Sequence, residues 1–265
     1  MPEPATRPTI AIAADPADDA ALAQRAAALG DELDLPVSHG PPTAELLLLV
    51  THAGLALSAT EGELAAGKPM RIDLTRLDTS TGPGRSLRQP LLRAVGIRRG
   101  ERWRPRVIDA TAGLGEDAWL LAAAGCRVEA VERHRVVAAL LEDAIARARQ
   151  TAPDAASRIT GRAADSRAHL AALAGAELTE RPDVVYLDPM FPVARRARER
   201  KPLRMLRRLV GDDADAGDLL AVALAAATRR VVVKRPGKVA ALTERAPSAT
   251  HRGRAVRYDV YAAAV

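Results

Sequence analysis

The chain has 265 residues and a formal net charge of +6, with 48% apolar residues, only 2% aromatics and one cysteine. Length allows one large domain, or a domain with a small companion, and Leu, Val and Ala must fill its core. The lone Cys126 excludes an internal disulfide and a cysteine-based metal cluster and reads as a small buried hydrophobe. The longest apolar runs are broken by charge or glycine, so none reads as a signal peptide or membrane span. A cytoplasmic enzyme without a metal is the default expectation.

Taken in chain order, Thr9–Ala14 reads as a strand and 16–29 as an Ala/Leu-rich helix. Ala44–Val50 and Gly54–Ser58 read as a strand pair, and Met70–Leu74 as a further strand. Residues 79–84 have the composition of a turn or linker, and a helix is predicted over 87–95. From Arg106 onward strands and helices alternate. Strands are predicted at 107–109, 127–131, 159–163, 183–187, 230–233 and 256–262, and helices at 117–124, 136–149, 167–173 and 219–227.

This pattern predicts an α/β, Rossmann-like fold: a parallel sheet over residues 83–265 with helices on both faces, preceded by a small α+β unit over 1–82. Charge follows the same division. Residues 1–66 carry ten acids and two bases, 67–106 eleven bases and three acids, and 193–208 eight bases and one acid. Basic clusters of this kind read as phosphate-contacting surface or as a solvated face in an arginine-rich chain.

In such sheets ligands bind outside the carboxyl ends of the strands. The strand-end residues are Asp109, Glu132, Asp165, Asp188 and Lys234. After the first of these strands comes Asp109-Ala110-Thr111-Ala112-Gly113-Leu114-Gly115-Glu116-Asp117, a glycine-rich turn entering a helix. Gly113 and Gly115 let the backbone approach a ligand closely. The turn fits the loose dinucleotide pattern, with Glu132 after the next strand, so a nicotinamide oxidoreductase has to be weighed. Charge argues against it. A pyrophosphate would sit on the helix N-terminus against Glu116 and Asp117, beside Asp109. S-adenosylmethionine has no phosphate and carries two cationic groups, which suits this acidic turn. Glu132 then faces the ribose hydroxyls, and Asp165 or Ser166 the adenine edge. Asp117 as an N-terminal helix cap is the competing reading.

Val184-Val185-Tyr186-Leu187-Asp188-Pro189-Met190-Phe191-Pro192 ends an apolar run in an acid, a proline and the sole phenylalanine of the chain. An exocyclic base amine is a weak nucleophile because its lone pair is delocalised into the ring. An acceptor such as Asp188 on the amino hydrogens localises that pair, Pro189 shapes the turn, and Phe191 stacks on the base, which must leave its helix to reach the site. An ordinary strand-ending turn with Phe191 as core filler is the plain alternative.

Three strings, VIDATAGLGEDAWLLAAAGCRVEAVER, VVYLDPMFP and RRVVVKRP, resemble the ribosomal RNA small subunit methyltransferase J family. The resemblance covers about residues 80–265 and the acidic N-terminal unit only loosely. It implies a class I fold and a cytoplasmic enzyme that methylates the N2 amine of a guanosine in small-subunit ribosomal RNA. It also implies cofactor contacts from Glu116, Asp117, Glu132, Arg133, Asp165, Ser166 and Asp188. Met190 stands where broader amine methyltransferases carry a second proline, which weakens transfer of detail from the DNA enzymes. A DNA or protein amine methyltransferase is the runner-up, and a non-catalytic ribosome-binding factor the third reading.

RNA contacts are expected from Arg195, Arg196, Arg198, Arg200, Lys201, Arg204, Arg207 and Arg208 after the catalytic turn. Lys68, Arg71, Arg85 and Arg88 would extend that track. Lys234 and Arg235 either reach the substrate backbone or form an ion pair. With so few aromatics the chain lacks a general stacking platform for single strands, so the expected partner is a folded ribosomal RNA site or the assembled small subunit.

Overall fold

Two sheets form, from strands that differ in how they are buried. The computed structural model describes residues 8–40, 44–77, 89–98, 100–190, 200–211, 216–237, 239 and 242–263. Phe191, Arg85, Arg88, Arg195, Arg196, Arg198 and the expected boundary at 82/83 lie outside these.

In the N-terminal unit β1 (Ile10–Asp15) leads through α1 (Ala20–Leu33) to β2 (Leu46–Thr51) and β3 (Gly54–Ala59). β1 and β2 are parallel and β3 is antiparallel to β2. Asp19 starts α1 by accepting the Leu22 N–H at 2.9 Å, and Leu22, Ala26 and Leu33 form its buried stripe. The strand expected at 70–74 is absent. Met70 makes only an isolated bridge to Leu57, and the chain then turns into a 3-10 helix, Leu74–Arg76, capped by the Asp73 carboxylate.

The second part contains α2 (Pro90–Ala94), β4 (Arg106–Asp109), α3 (Glu116–Ala123), β5 (Arg127–Glu132), α4 (Arg135–Thr151), α5 (Pro153–Ala156) and β6 (Ile159–Ala163). These are followed by α6 (Ser166–Ala174), β7 (Val184–Leu187), α7 (Lys201–Val210), α8 (Ala216–Ala226), β8 (Arg230–Pro236), β9 (Ala249–Arg252) and β10 (Val256–Ala262). The sheet order is β6-β5-β4-β7-β8-β10-β9. β4 to β8 are parallel, and β10 is antiparallel to both its neighbours.

All four residues of β7 are buried, as a central parallel strand covered on both faces requires. Its side chains alternate between two apolar layers. Val184 and Tyr186 join Val107, Val128 and Val232 against α3, α4 and α7, while Val185 and Leu187 join Ile108 and Val231 against α6 and α8. The first layer runs without interruption into Ile12, Leu46, Leu48 and Leu57 of the N-terminal sheet, so the two sheets share one core. Arg147 of α4 reinforces this junction by donating to the Ile72 carbonyl at 2.7 Å.

Helix α7 was not expected, because four of its ten residues are basic and the segment reads as RNA surface. It buries Met205, Leu206 and Leu209. Its cations face the acidic N-terminal unit. Lys201 Nζ donates to the carbonyls of Ala66 (2.8 Å) and Lys68 (3.0 Å), Arg204 pairs with Glu63 at 2.9 Å, and Arg208 pairs with Glu45 at 2.7 Å. In the structure Lys201 and Arg204, expected as phosphate contacts, dock α7 onto the N-terminal sheet.

Candidate active site

The carboxyl ends of β4, β5 and β7 surround a cavity of about 350 Å³, within the range of small-molecule sites. Asp109, Gly113, Gly115, Glu116, Asp117, Glu132, Arg133, Asp165, Ser166 and Asp188, the expected cofactor residues, all line it. The wall opposite comes from α7 and α8, through Leu203, Leu206, Val210 and Leu219.

The glycine turn after β4 is shaped by backbone needs. Gly115 caps α3 with φ 74°, and a Cβ there would lie 2.4 Å from Leu141 Cδ1. The turn is tied to the next strand by Glu132, which is buried. One carboxylate oxygen accepts the Gly113 N–H at 3.0 Å and the other the His134 N–H at 2.8 Å. A carboxylate is an acceptor-only group of the kind that suits the hydroxyls of a bound diol. Asp165 caps α6 through the Ala168 N–H at 3.0 Å, and the Ser166 hydroxyl donates to the Ala110 carbonyl at 2.6 Å, which holds the β4 end against α6.

Asp117 is not the helix cap. It lies inside the first turn of α3, where its Oδ2 accepts from the Tyr186 hydroxyl at 2.6 Å and from Lys234 Nζ at 2.7 Å. Lys234 also reaches Asp188 Oδ2 at 2.9 Å, and the Asp188 N–H donates to Thr111 Oγ1 at 2.6 Å. Asp188 is thereby held on two sides, by a side chain from β8 and by the turn after β4. Pro189 is buried directly behind it, and Met190 lines the cavity.

Electrostatics sort these acids into two kinds. Burial, then the charges of Asp117 and Asp188, push the Asp109 carboxyl well above the usual carboxylate range, although the Thr111 N–H works against them. Asp109 thus holds its proton more tightly than an ordinary carboxylate, where the sequence reading treats it as an anion. Burial alone would push Lys234 down, but Asp188 and Asp117 outweigh it and hold the ammonium firmly protonated.

Of the two readings of Lys234, backbone contact or ion pair, the geometry shows the ion pair. Its side chain is 23% exposed and clasped by two carboxylates. Arg235 is 4% exposed and points into the layer of Arg257 and Asp259, out of reach of an RNA backbone. Thr111 and Tyr186 were missed. Tyr186 reads as one more apolar strand residue, and its hydroxyl is revealed only by the fold.

The family model described as "Putative SAM-dependent methyltransferase" matches residues 29–263. Curated proteins named ribosomal RNA small subunit methyltransferase J are 44% identical: that of Thioalkalivibrio sulfidiphilus over 91% of this chain and 93% of its own, and that of Alkalilimnicola ehrlichii over 96% of each. The chain belongs to the ribosomal RNA small subunit methyltransferase J family. A crystal structure of a SAM-dependent methyltransferase from Neisseria gonorrhoeae superposes with a TM-score of 0.71 at 31% identity, covering 96% of each chain. The α/β class I fold and the S-adenosylmethionine cofactor read from the strand-end acids hold, and the nicotinamide alternative falls with family membership. Among the described residues no helix is long and apolar enough to cross a membrane, and no cluster of His, Cys, Asp and Glu has the make-up of a metal site.

Proposed function

We propose that the protein methylates the exocyclic N2 amine of a guanosine in small-subunit ribosomal RNA. The observation that carries this reading is Asp188, which ends β7 at the donor cavity in the grip of Lys234 and Thr111 and is followed at once by buried Pro189.

When bound, S-adenosylmethionine supplies an electrophilic methyl group on a sulfonium centre. The cavity suits such a cation. Asp117 and Asp188 carry two negative charges against the single one of Lys234, and Glu132 adds another on the β5 side. In this reading Glu132 accepts the ribose hydroxyls, and Asp165 and Ser166 meet the adenine edge. Arg133 closes the cavity beside them.

Asp188 accepts an amino hydrogen of the base, which localises the nitrogen lone pair and aims it at the methyl group; positioning of this kind supplies most of the rate gain. Ion-paired with Lys234, Asp188 is assigned the part of an orienting acceptor, and the proton released by the methylated amine passes to water. Phe191, two residues beyond Pro189, is assigned to stacking on the base by its place in the chain.

The test is transfer of labelled methyl from the donor to small-subunit RNA and, in parallel, to duplex DNA and to ribosomal protein. Methylated RNA from the native protein, and none from Asp188→Ala with intact donor binding, supports the reading. Retained activity in that variant removes Asp188 from the mechanism. Transfer to DNA or protein alone replaces the substrate.

A further inference from the structure

A second concentration of positive charge lies away from the donor cavity, where α2 crosses the start of β8. Arg230 opens β8, and its guanidinium lies flat over Gly96. A Cβ on Gly96, whose φ is 96°, would approach the Arg230 Cζ, Nη1 and Nη2 atoms at 3.1–3.2 Å. Among the described residues only Nη1 finds a partner, the Ala94 carbonyl at 3.4 Å. The buried Nε has none among the described residues.

The neighbours of Arg230 are cations. Burial, then Arg98 and Arg229, depress its pKa, and burial, then Arg93 and Arg230, depress that of His251. Arg229 stacks over Trp103 with 4.5 Å from Cζ to the ring centroid. Two acids offset part of this charge: Asp183 pairs with Arg229 at 3.5 Å and Glu101 with Arg98 at 3.7 Å, and among the described residues neither reaches Arg230. A half-buried guanidinium with an unused donor, ringed by like charge, is unfavourable unless an anion completes it.

Topology connects this patch to the donor site. In β8, Arg230 and Lys234 are four residues apart, on the same face and about 13 Å apart along the strand. Lys234 pairs across the sheet with Tyr258, and Tyr258 with His251, so His251 stands level with the Asp188 clamp about 10 Å away. The arginine patch therefore lies on the α2 side of the sheet, about 13 Å back along β8 from the level of the reaction site.

We propose that Arg93, Arg98, Arg229 and Arg230 form a phosphodiester-binding track that holds the RNA strand flanking the target nucleotide. Arg230 is its half-buried anchor, and Trp103 aligns Arg229. The partner class rests on the RNA reading above. The spacing from the donor site fits one strand held at both places, and guanidinium groups are suited to phosphate oxygens.

The test measures binding of a small-subunit RNA transcript at several salt concentrations, for the native protein and for the Arg93→Gln/Arg98→Gln/Arg229→Gln variant. Each lost phosphate contact should lower the slope of log affinity against log salt by roughly 0.7–0.9. The triple variant should bind RNA at least about 10-fold more weakly at physiological salt. Its affinity for S-adenosylhomocysteine and its thermal midpoint should match the native protein, and turnover at saturating RNA should be retained with a raised KM. The corresponding triple lysine variant, which keeps the charge, should recover most of the slope. Native affinity and native slope in the glutamine variant would overturn the proposal. Reduced RNA binding with no methyl transfer by the native protein would leave the track standing and overturn the methylation reading instead.

Discussion

Lys234 Nζ sits 2.9 Å from Asp188 Oδ2, so the residue assigned to orient the base amine is itself oriented by a cation from the neighbouring strand. Asp117 holds the other side of that ammonium at 2.7 Å and in turn receives the Tyr186 hydroxyl. Four side chains from α3, β7 and β8 thus form one network beside the donor cavity.

Replacing Lys234 by Met leaves Asp117 and Asp188 facing each other without their counter-ion. Protonation of the pair becomes easier, so the acid limb of kcat should move to higher pH. Misplacement of the acceptor should lower kcat by roughly 100-fold. Binding of S-adenosylhomocysteine, measured by calorimetry, should change far less. Lys234→Arg should recover part of kcat. A native pH profile in Lys234→Met would show that the clamp has no part in orienting Asp188.

Asp109 holds its proton more tightly in the folded chain than at its ordinary value of 3.8. The folded state therefore binds more protons than the unfolded one, and stability falls as pH rises from that value through the raised one. Asp109→Asn keeps the shape and removes the titration. Its stability relative to the native protein should improve as pH rises above 3.8 in urea unfolding. A difference that does not change with pH would mean that the Asp109 carboxyl is not shifted on folding.

Docking of α7 on the N-terminal sheet gives that unit a task, since α7 also walls the donor cavity. Single exposed ion pairs are worth only about 0.2–1 kcal/mol. Charge reversal at both acids, Glu45→Lys with Glu63→Lys, sets like charges against Arg208 and Arg204. Donor affinity should fall by about 3- to 10-fold at low salt, with the loss shrinking as salt screens the repulsion. An unchanged affinity at low salt would separate the N-terminal unit from the cavity.

Gly115→Ala puts a Cβ 2.4 Å from Cδ1 of Leu141, which is 1% exposed. With the positive φ added, a loss of about 1–3 kcal/mol is expected, together with weakened donor binding. Unfolding and calorimetry on this variant check both. Cys126, fully buried and with its thiol pushed up to about 12 by burial, should resist alkylation until the protein unfolds.

The central strands were legible because Val184–Leu187 and Arg230–Val233 are apolar or β-branched runs, and parallel strands buried on both faces require that composition. The strand-end acids followed from the alternation alone. Strand β9 was not legible. It is an edge strand of mostly exposed residues, Ala249–Arg252, with no apolar alternation to betray it. Helix α7 was hidden by its charge, though Leu203, Leu206 and Val210 recur at helical spacing. The inward turn of Lys234 could not be read either, because a lysine at a strand end serves a surface and a buried clamp equally well until its partners are in place. The patch around Arg230 depends on residues from α2, β8 and β9 that are far apart in the chain.

The most direct test of the central claim is mass spectrometry of the nucleosides from small-subunit RNA treated with donor and either native protein or Asp188→Ala. N2-methylguanosine at one position with the native protein, and none with the variant, is the predicted result. A methyl group on another atom or base, or an unchanged yield from the variant, would contradict it.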